Sequence, residues 1–165
     1  MELILLKGKK DSGKTTTAKM VYEDLKKEAE EEPIYIELDD DLEDNEKGDD
    51  FKAIIKIQNK IVHIISRGDA RNYFRDHIFP QYDKNTNVEI LILCIRTEEQ
   101  DARINGPMED FVINWFNNII EKKTYFQMNF VKNADDCKGI IEAKKETAQE
   151  IVKYIIDEIS KQNEN

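Results

Sequence analysis

The chain has 165 residues, of which 36% are charged and 39% hydrophobic, and its formal net charge is −10. This length and composition predict one domain with its own core, spanning residues 1–165. No apolar run approaches the roughly 20 residues that cross a bilayer, and the first one is too short for a signal peptide, so we expect a cytoplasmic protein without a membrane partner. The acidic balance argues against nucleic acid as a partner, because its binders usually carry a basic stripe.

The spacing of apolar residues predicts strands and helices that alternate along the chain. In chain order these are a strand over residues 2–7, a helix over 15–32, strands over 34–38, 51–57 and 61–65, a helix over 69–79, a strand over 88–95, a helix around 111–120, a strand over 124–131 and a helix over 136–160. This order predicts an α/β fold of three layers, in which a mainly parallel sheet is flanked by helices.

Strands 51–57 and 61–65 are separated by a short turn that contains Asn59, which predicts an antiparallel hairpin within the sheet. Lysines on the outer face of strand 51–57 favour the edge of the sheet, whereas the almost wholly apolar strand 61–65 suits a central position. Trp115 has the helical spacing of a core residue. His63 is expected to be a hydrogen-bonded core histidine, and His77 to lie on a helix surface.

Residues 8–15, Gly-Lys-Lys-Asp-Ser-Gly-Lys-Thr, match the Walker A pattern G-x-x-x-x-G-K-[ST] between a predicted strand and a predicted helix. Glycines allow the turn to approach an anion closely, and successive N–H groups form a nest for phosphate oxygens. A lysine then contacts the outer phosphates and a threonine hydroxyl ligates magnesium. The candidate nucleotide-binding residues are Gly8, Asp11, Ser12, Gly13, Lys14, Thr15 and Thr16.

With this motif the chain resembles the P-loop NTPases, and its size and first elements are similar to their small kinase branch. The resemblance is specific over residues 1–25 and implies a P-loop NTPase fold that binds ATP, or GTP as an alternative, with Mg²⁺. The segments Ser66-Arg67-Gly68-Asp69 and Ile95-Arg96-Thr97 also resemble stand-alone bacterial P-loop proteins. That second likeness supplies no function.

The resemblance also implies an acid at the end of a second apolar strand, where it helps to hold the magnesium ion. Here the expected position is Ser66, so this chain departs from the family pattern. Three alternatives remain open: Asp69 reaches the metal, Ser66 holds a metal-bound water, or the carboxylate comes from the three aspartates at 39–41. Thr15 and Asp69 are the candidate metal ligands, although Asp69 also fits a helix N-cap.

Two further features suggest groups that act on phosphate. Asp40 follows the second predicted strand, where acids of similar small kinases bind the acceptor or take its proton, although consecutive acids are also common in solvated turns. All five arginines lie between positions 67 and 103: Arg67, Arg71, Arg75, Arg96 and Arg103. Guanidinium groups at strand ends can bind phosphate, and pairing with surface acids is the alternative. The candidate catalytic residues are Lys14, Asp40 and Arg96.

These residues favour a kinase-like phosphotransferase that moves the γ-phosphoryl of ATP to a small-molecule acceptor. The alternative is a nucleotide-dependent switch or regulatory ATPase that acts through a protein partner. The missing acid at Ser66 and the charged tract 39–50 favour that alternative, so enzymatic activity is left open. The residue order Lys132-Asn133-Ala134-Asp135 differs from the guanine-reading N-K-x-D pattern, and we infer no preference for GTP from it.

Overall fold

The computed structural model describes residues 1–9, 11–38, 50–67, 71–82, 87–97, 107–128 and 137–163. The strands in these ranges are β1 (Glu2–Gly8), β2 (Ile34–Glu37), β3 (Phe51–Ile57), β4 (Lys60–Ile65), β5 (Val88–Arg96) and β6 (Lys122–Met128). The helices are α1 (Lys14–Leu25), α2 (Arg71–Tyr73), α3 (Met108–Phe116) and α4 (Cys137–Asn163). A 3₁₀ turn, Lys26–Glu28, follows α1, and α2 continues as a π-helical turn, Phe74–Ile78, and a 3₁₀ turn, Phe79–Gln81. The predicted α/β class is confirmed.

The six strands form one mixed sheet in the order β2-β3-β4-β5-β1-β6. β1 lies between β5 and β6 and is parallel to both, and β4 is parallel to β5. β3 is antiparallel to both of its neighbours. The hairpin between β3 and β4 turns at Gln58 and Asn59, whose φ angles of 49° and 62° are left-handed. Two such residues make the tight turn that matches the twist of a hairpin.

Two hydrophobic clusters cover the two faces of the sheet. β1 contributes to both, because its side chains alternate: Ile4 and Leu6 enter one cluster, and Leu3 and Leu5 enter the other. The first cluster also contains residues of α1 and α4, whereas the second contains residues of α3 and of segment 71–82. The sheet therefore separates two helical layers. β1 ends at Gly8, and the chain then turns into the start of α1.

Three details of the prediction were wrong. β3 is not an edge strand, because the four-residue β2 pairs with its outer side. Its lysines alternate with its buried residues, and Lys52 Nζ donates to Gln81 Oε1. Trp115 is 49% exposed, since only one face of its ring stacks on Phe79. α1 ends at Leu25 instead of residue 32: a 3₁₀ turn follows, Ala29 is extended, and the Glu30 N–H donates to the carbonyl of Lys56 on β3.

Within the described ranges, no helix is long and apolar enough to cross a membrane.

Candidate phosphate-binding site

The turn between β1 and α1 is tight, and glycine is required at both of its ends. A Cβ at Gly8 would lie 2.7 Å from the carbonyl oxygen of Met128, which belongs to the neighbouring strand β6 and cannot easily move. Gly13 has φ of 83°, a left-handed conformation that side chains disfavour. Asp11 is also left-handed, at φ 58°, and the Ser12 N–H closes the turn on the carbonyl of Lys9 at 3.3 Å. Residue 10 lies outside the described residues.

α1 begins at this turn without a side-chain cap. Gly13 occupies the N-cap position, and the first turn of the helix carries no acidic residue. The first hydrogen bond of the helix runs from the Thr17 N–H to the Gly13 carbonyl at 2.9 Å, so the N–H groups of residues 14–16 precede it. Such groups have no partner within their own helix and carry partial positive charge. This helix start is therefore suited to bind an anion.

The ammonium group of Lys14 lies over the same turn. Its Nζ donates to the carbonyl oxygens of Gly8 at 3.0 Å and Lys9 at 2.6 Å, and lies 3.4 Å from Ser12 Oγ. The side chain is thus folded back toward the end of β1 instead of extending into solvent. A phosphate group in the turn would compete favourably for this cation, because it offers a full negative charge where the carbonyls offer only dipoles.

A carboxylate that the sequence did not single out lies beside Thr15. Asp50 Oδ1 accepts hydrogen bonds from Thr15 Oγ1 at 3.0 Å and from Ser66 Oγ at 2.9 Å. Ser66 is 3% exposed, and its Oγ also accepts the Phe51 N–H at 2.8 Å. The Leu38 N–H donates to the Asp50 backbone carbonyl at 2.9 Å. Backbone and side chain of Asp50 are therefore both held in place against the start of α1.

The donor set of this cluster fits magnesium. Thr15, Ser66 and Asp50 offer hydroxyl and carboxylate oxygens, the hard ligands that Mg²⁺ prefers. Among the residues that the structure describes, no three or more His, Cys, Asp or Glu side chains come together as a metal site. That is compatible with magnesium in a nucleotide complex, which takes one or two carboxylates and fills its remaining positions with phosphate oxygens and water.

Of the three alternatives for the group that helps to hold magnesium, only the one that involves Ser66 concerns a described residue. The Ser66 hydroxyl donates to Asp50. Among the described residues, the carboxylate that bonds to Thr15 is that of Asp50, the residue directly before β3. Asp69 and the aspartates at 39–41, including the catalytic candidate Asp40, lie outside the described residues. β3 is antiparallel to β4, so its first residue reaches the edge at which β4 ends. The sequence feature that could have identified Asp50 is its position directly before the predicted hairpin.

The arginines separate into different environments. Arg96 ends β5 and is the register partner of Gly8, and the next N–H, that of Thr97, donates to the Gly8 carbonyl at 3.1 Å. Arg67 is 6% exposed, with its guanidinium 4.4 Å from the Tyr73 ring centre. Arg71 lies over Phe111, and Arg75 forms a surface ion pair with Asp76. Arg96 is thus the last residue of a strand that ends near the turn, and Arg67 lies shortly after the end of β4. Arg75 fits the alternative of pairing with a surface acid. Arg103 lies outside the described residues.

Two other reactive side chains, those of His63 and Cys94, are withdrawn from solvent by burial. His63 bonds to the Tyr82 hydroxyl at 2.7 Å on the opposite face of the sheet, and burial, helped by Lys52, lowers its pKa to about 4. Its predicted role as a hydrogen-bonded, largely buried histidine is confirmed, and His77 is exposed as predicted. Cys94 is buried, which raises the pKa of its thiol and leaves it unreactive.

No protein-family model matches this chain, and neither a curated protein nor a solved structure is significantly similar to it.

Proposed function

We propose that this chain binds a nucleoside triphosphate with Mg²⁺ through the turn at residues 8–15, and that it is a cytoplasmic, kinase-like P-loop phosphotransferase. The observation that carries the proposal is the convergence of three groups on one helix start. These are the uncapped N–H groups after left-handed Gly13, the ammonium of Lys14, and the Thr15 hydroxyl bonded to Asp50. Each has a defined partner in a metal–polyphosphate complex.

The chemistry proposed for these side chains follows from their charges. The N–H groups and Lys14 bind phosphate oxygens and stabilise the negative charge that develops there during transfer. Thr15 and Asp50 hold the magnesium ion, which supplies further positive charge to the phosphates, and Ser66 keeps Asp50 oriented. Arg96, next to Gly8 in the sheet, is the candidate for a further phosphate contact. The acceptor is proposed to be a small molecule.

A second candidate function is a nucleotide-dependent switch. The observation that favours it is the position of Asp50, which contacts Thr15 with its side chain and Leu38 with its backbone. Residues 38 and 50 flank the acidic tract 39–49. A change in the Thr15–Asp50 contact on binding of Mg²⁺ and nucleotide would be passed directly to both ends of that tract, where a protein partner could detect it.

Thermal unfolding in the presence of ATP or GTP, each with Mg²⁺ or with EDTA, tests nucleotide binding. A ligand at about 100 times its dissociation constant adds about 2.7 kcal/mol to the free energy of unfolding. We expect stabilisation by at least one triphosphate, larger with Mg²⁺ than with EDTA. No stabilisation by any of the four mixtures would contradict the proposal.

Incubation with γ-³²P-ATP and a panel of small hydroxyl and phosphate acceptors then separates the two functions. Transfer to an acceptor above the rate of hydrolysis supports the phosphotransferase. Slow hydrolysis without transfer, together with nucleotide-dependent capture of a protein partner, supports the switch.

A further inference from the structure

The side chain of Lys144, on α4, lies directly against the phosphate-binding turn. A Cβ built on Gly13 would come within 2.5 Å of Lys144 Cε and 3.0 Å of its Nζ. α4 is held there by its packing on α1, in which Ala148 and Ile151 share a buried cluster with Ala18 and Val21. The two helices therefore bring a second ammonium group to the start of α1, in addition to that of Lys14.

The surroundings of Lys144 are electrostatically unfavourable for a cation unless an anion is bound. The start of α1 carries partial positive charge, and its first turn has no acidic residue to offset it. Lys144 itself forms no ion pair with any residue in the described ranges. Its neighbours three and four positions away on α4 are Ile140, Ile141, Thr147 and Ala148, none of which is acidic.

We propose that Lys144 is a phosphate-binding residue, whose ammonium contacts an oxygen of the polyphosphate held in the turn. The inference rests on the proposed function and extends it, because it adds a group from the last helix, 130 positions beyond Lys14 in the sequence numbering. A bound phosphate removes the repulsion between Lys144 and the start of α1. Nucleotide binding then strengthens the contact between α1 and α4, which links the last helix to the state of the site.

The substitution Lys144→Ala tests this directly, with Lys145→Ala as the matched control. Lys145 is the next residue on α4, but it is exposed and has Glu142 three positions before it. Titration calorimetry with ATP and MgCl₂ should give a dissociation constant about tenfold higher for Lys144→Ala, the effect of losing one charge-assisted contact. Lys145→Ala should stay within about twofold of the unsubstituted protein, and Lys144→Arg should retain most of the affinity.

A second measurement separates phosphate binding from packing. If Lys144 serves phosphate, Lys144→Ala leaves the melting temperature of the nucleotide-free protein unchanged or raises it, because a repulsion is removed. A lower melting temperature of the nucleotide-free variant would assign Lys144 a packing role and overturn the inference. So would an unchanged dissociation constant for ATP.

The outcome for Lys14→Ala, measured in parallel, identifies which proposal fails. If Lys14→Ala loses ATP binding while Lys144→Ala binds normally, only the role of Lys144 is refuted. If the unsubstituted protein does not bind ATP, the proposed function is refuted, and the role of Lys144 with it.

Discussion

The Thr15 hydroxyl donates a hydrogen bond of 3.0 Å to a carboxylate oxygen of Asp50, 35 positions further along the chain. This contact joins the turn at residues 8–15 to the hairpin of β3 and β4, because the same oxygen accepts the Ser66 hydroxyl at 2.9 Å. In the proposed function, Asp50 is the acid that helps to hold magnesium. Asp50 precedes the antiparallel strand β3, whereas the resemblance to P-loop NTPases implies an acid after a second apolar strand, at the position of Ser66.

Replacing Asp50 by Asn tests this assignment. The amide keeps the size of the side chain and a hydrogen-bond acceptor but loses the negative charge that a divalent cation requires. We expect the affinity for ATP in the presence of Mg²⁺ to fall by about 10- to 100-fold, with a much smaller change in EDTA. The control is Asp157→Asn, which makes the same change on an exposed position of α4. Equal dependence on Mg²⁺ in the Asp50→Asn variant and the unsubstituted protein would refute the role of Asp50.

Replacing Gly13 by Ala should destabilise the protein. The left-handed φ of 83° costs a side-chain-bearing residue about 1–2 kcal/mol, and the added methyl group displaces Lys144. We expect thermal unfolding at a temperature several degrees lower, together with weaker nucleotide binding. Gly139→Ala is the matched control: Gly139 lies within α4, where alanine is favoured by about 0.5–1 kcal/mol. A Gly13→Ala variant as stable as Gly139→Ala would show that the turn is not constrained as described.

His63 should make stability depend on pH between about 7 and 4. Its pKa is lowered to about 4 in the folded protein, below its ordinary value of 6.5. The unfolded chain therefore takes up the proton first, and the stabilisation, present above pH 6.5, is lost as the pH falls toward 4. In urea titrations, His63→Gln should reduce the loss of stability between pH 7 and 5 by on the order of 1 kcal/mol. His77→Gln, the same change at an exposed histidine, should not reduce this loss of stability. An unchanged pH profile for His63→Gln would contradict the burial of the His63 imidazole.

The elements that depend on local sequence were predictable. Alternating or continuous apolar residues identified all six strands of the described ranges, and the short turn that contains Asn59 was predicted from its position between two such runs. The Walker A spacing likewise placed a glycine turn directly before α1. These features each arise within one short segment, so the order of residues is sufficient to predict them.

The features that were missed depend on contacts between distant segments. In the sequence Asp50 is only the last residue of the charged tract 39–50, because the pairing of β3 with β4 is what brings it to Ser66 and Thr15. The pairing of β2 on the outside of β3 could not be inferred from the lysines of β3. Lys144 reaches Gly13 only through the packing of α4 on α1. Periodicity indicates which face of an element is buried, but it does not identify the partner.

The proposed binding of polyphosphate by the turn at residues 8–15 is best examined by titration calorimetry of ATP with Mg²⁺, using the unsubstituted protein and Lys14→Ala. The control is Lys19→Ala, which removes the same charge from an exposed position of α1. We expect one ATP per chain, affinity reduced by at least about tenfold in Lys14→Ala, and no change in Lys19→Ala. Absence of binding to the unsubstituted protein, or equal affinity in the two lysine variants, would show that this turn does not hold the phosphates of ATP.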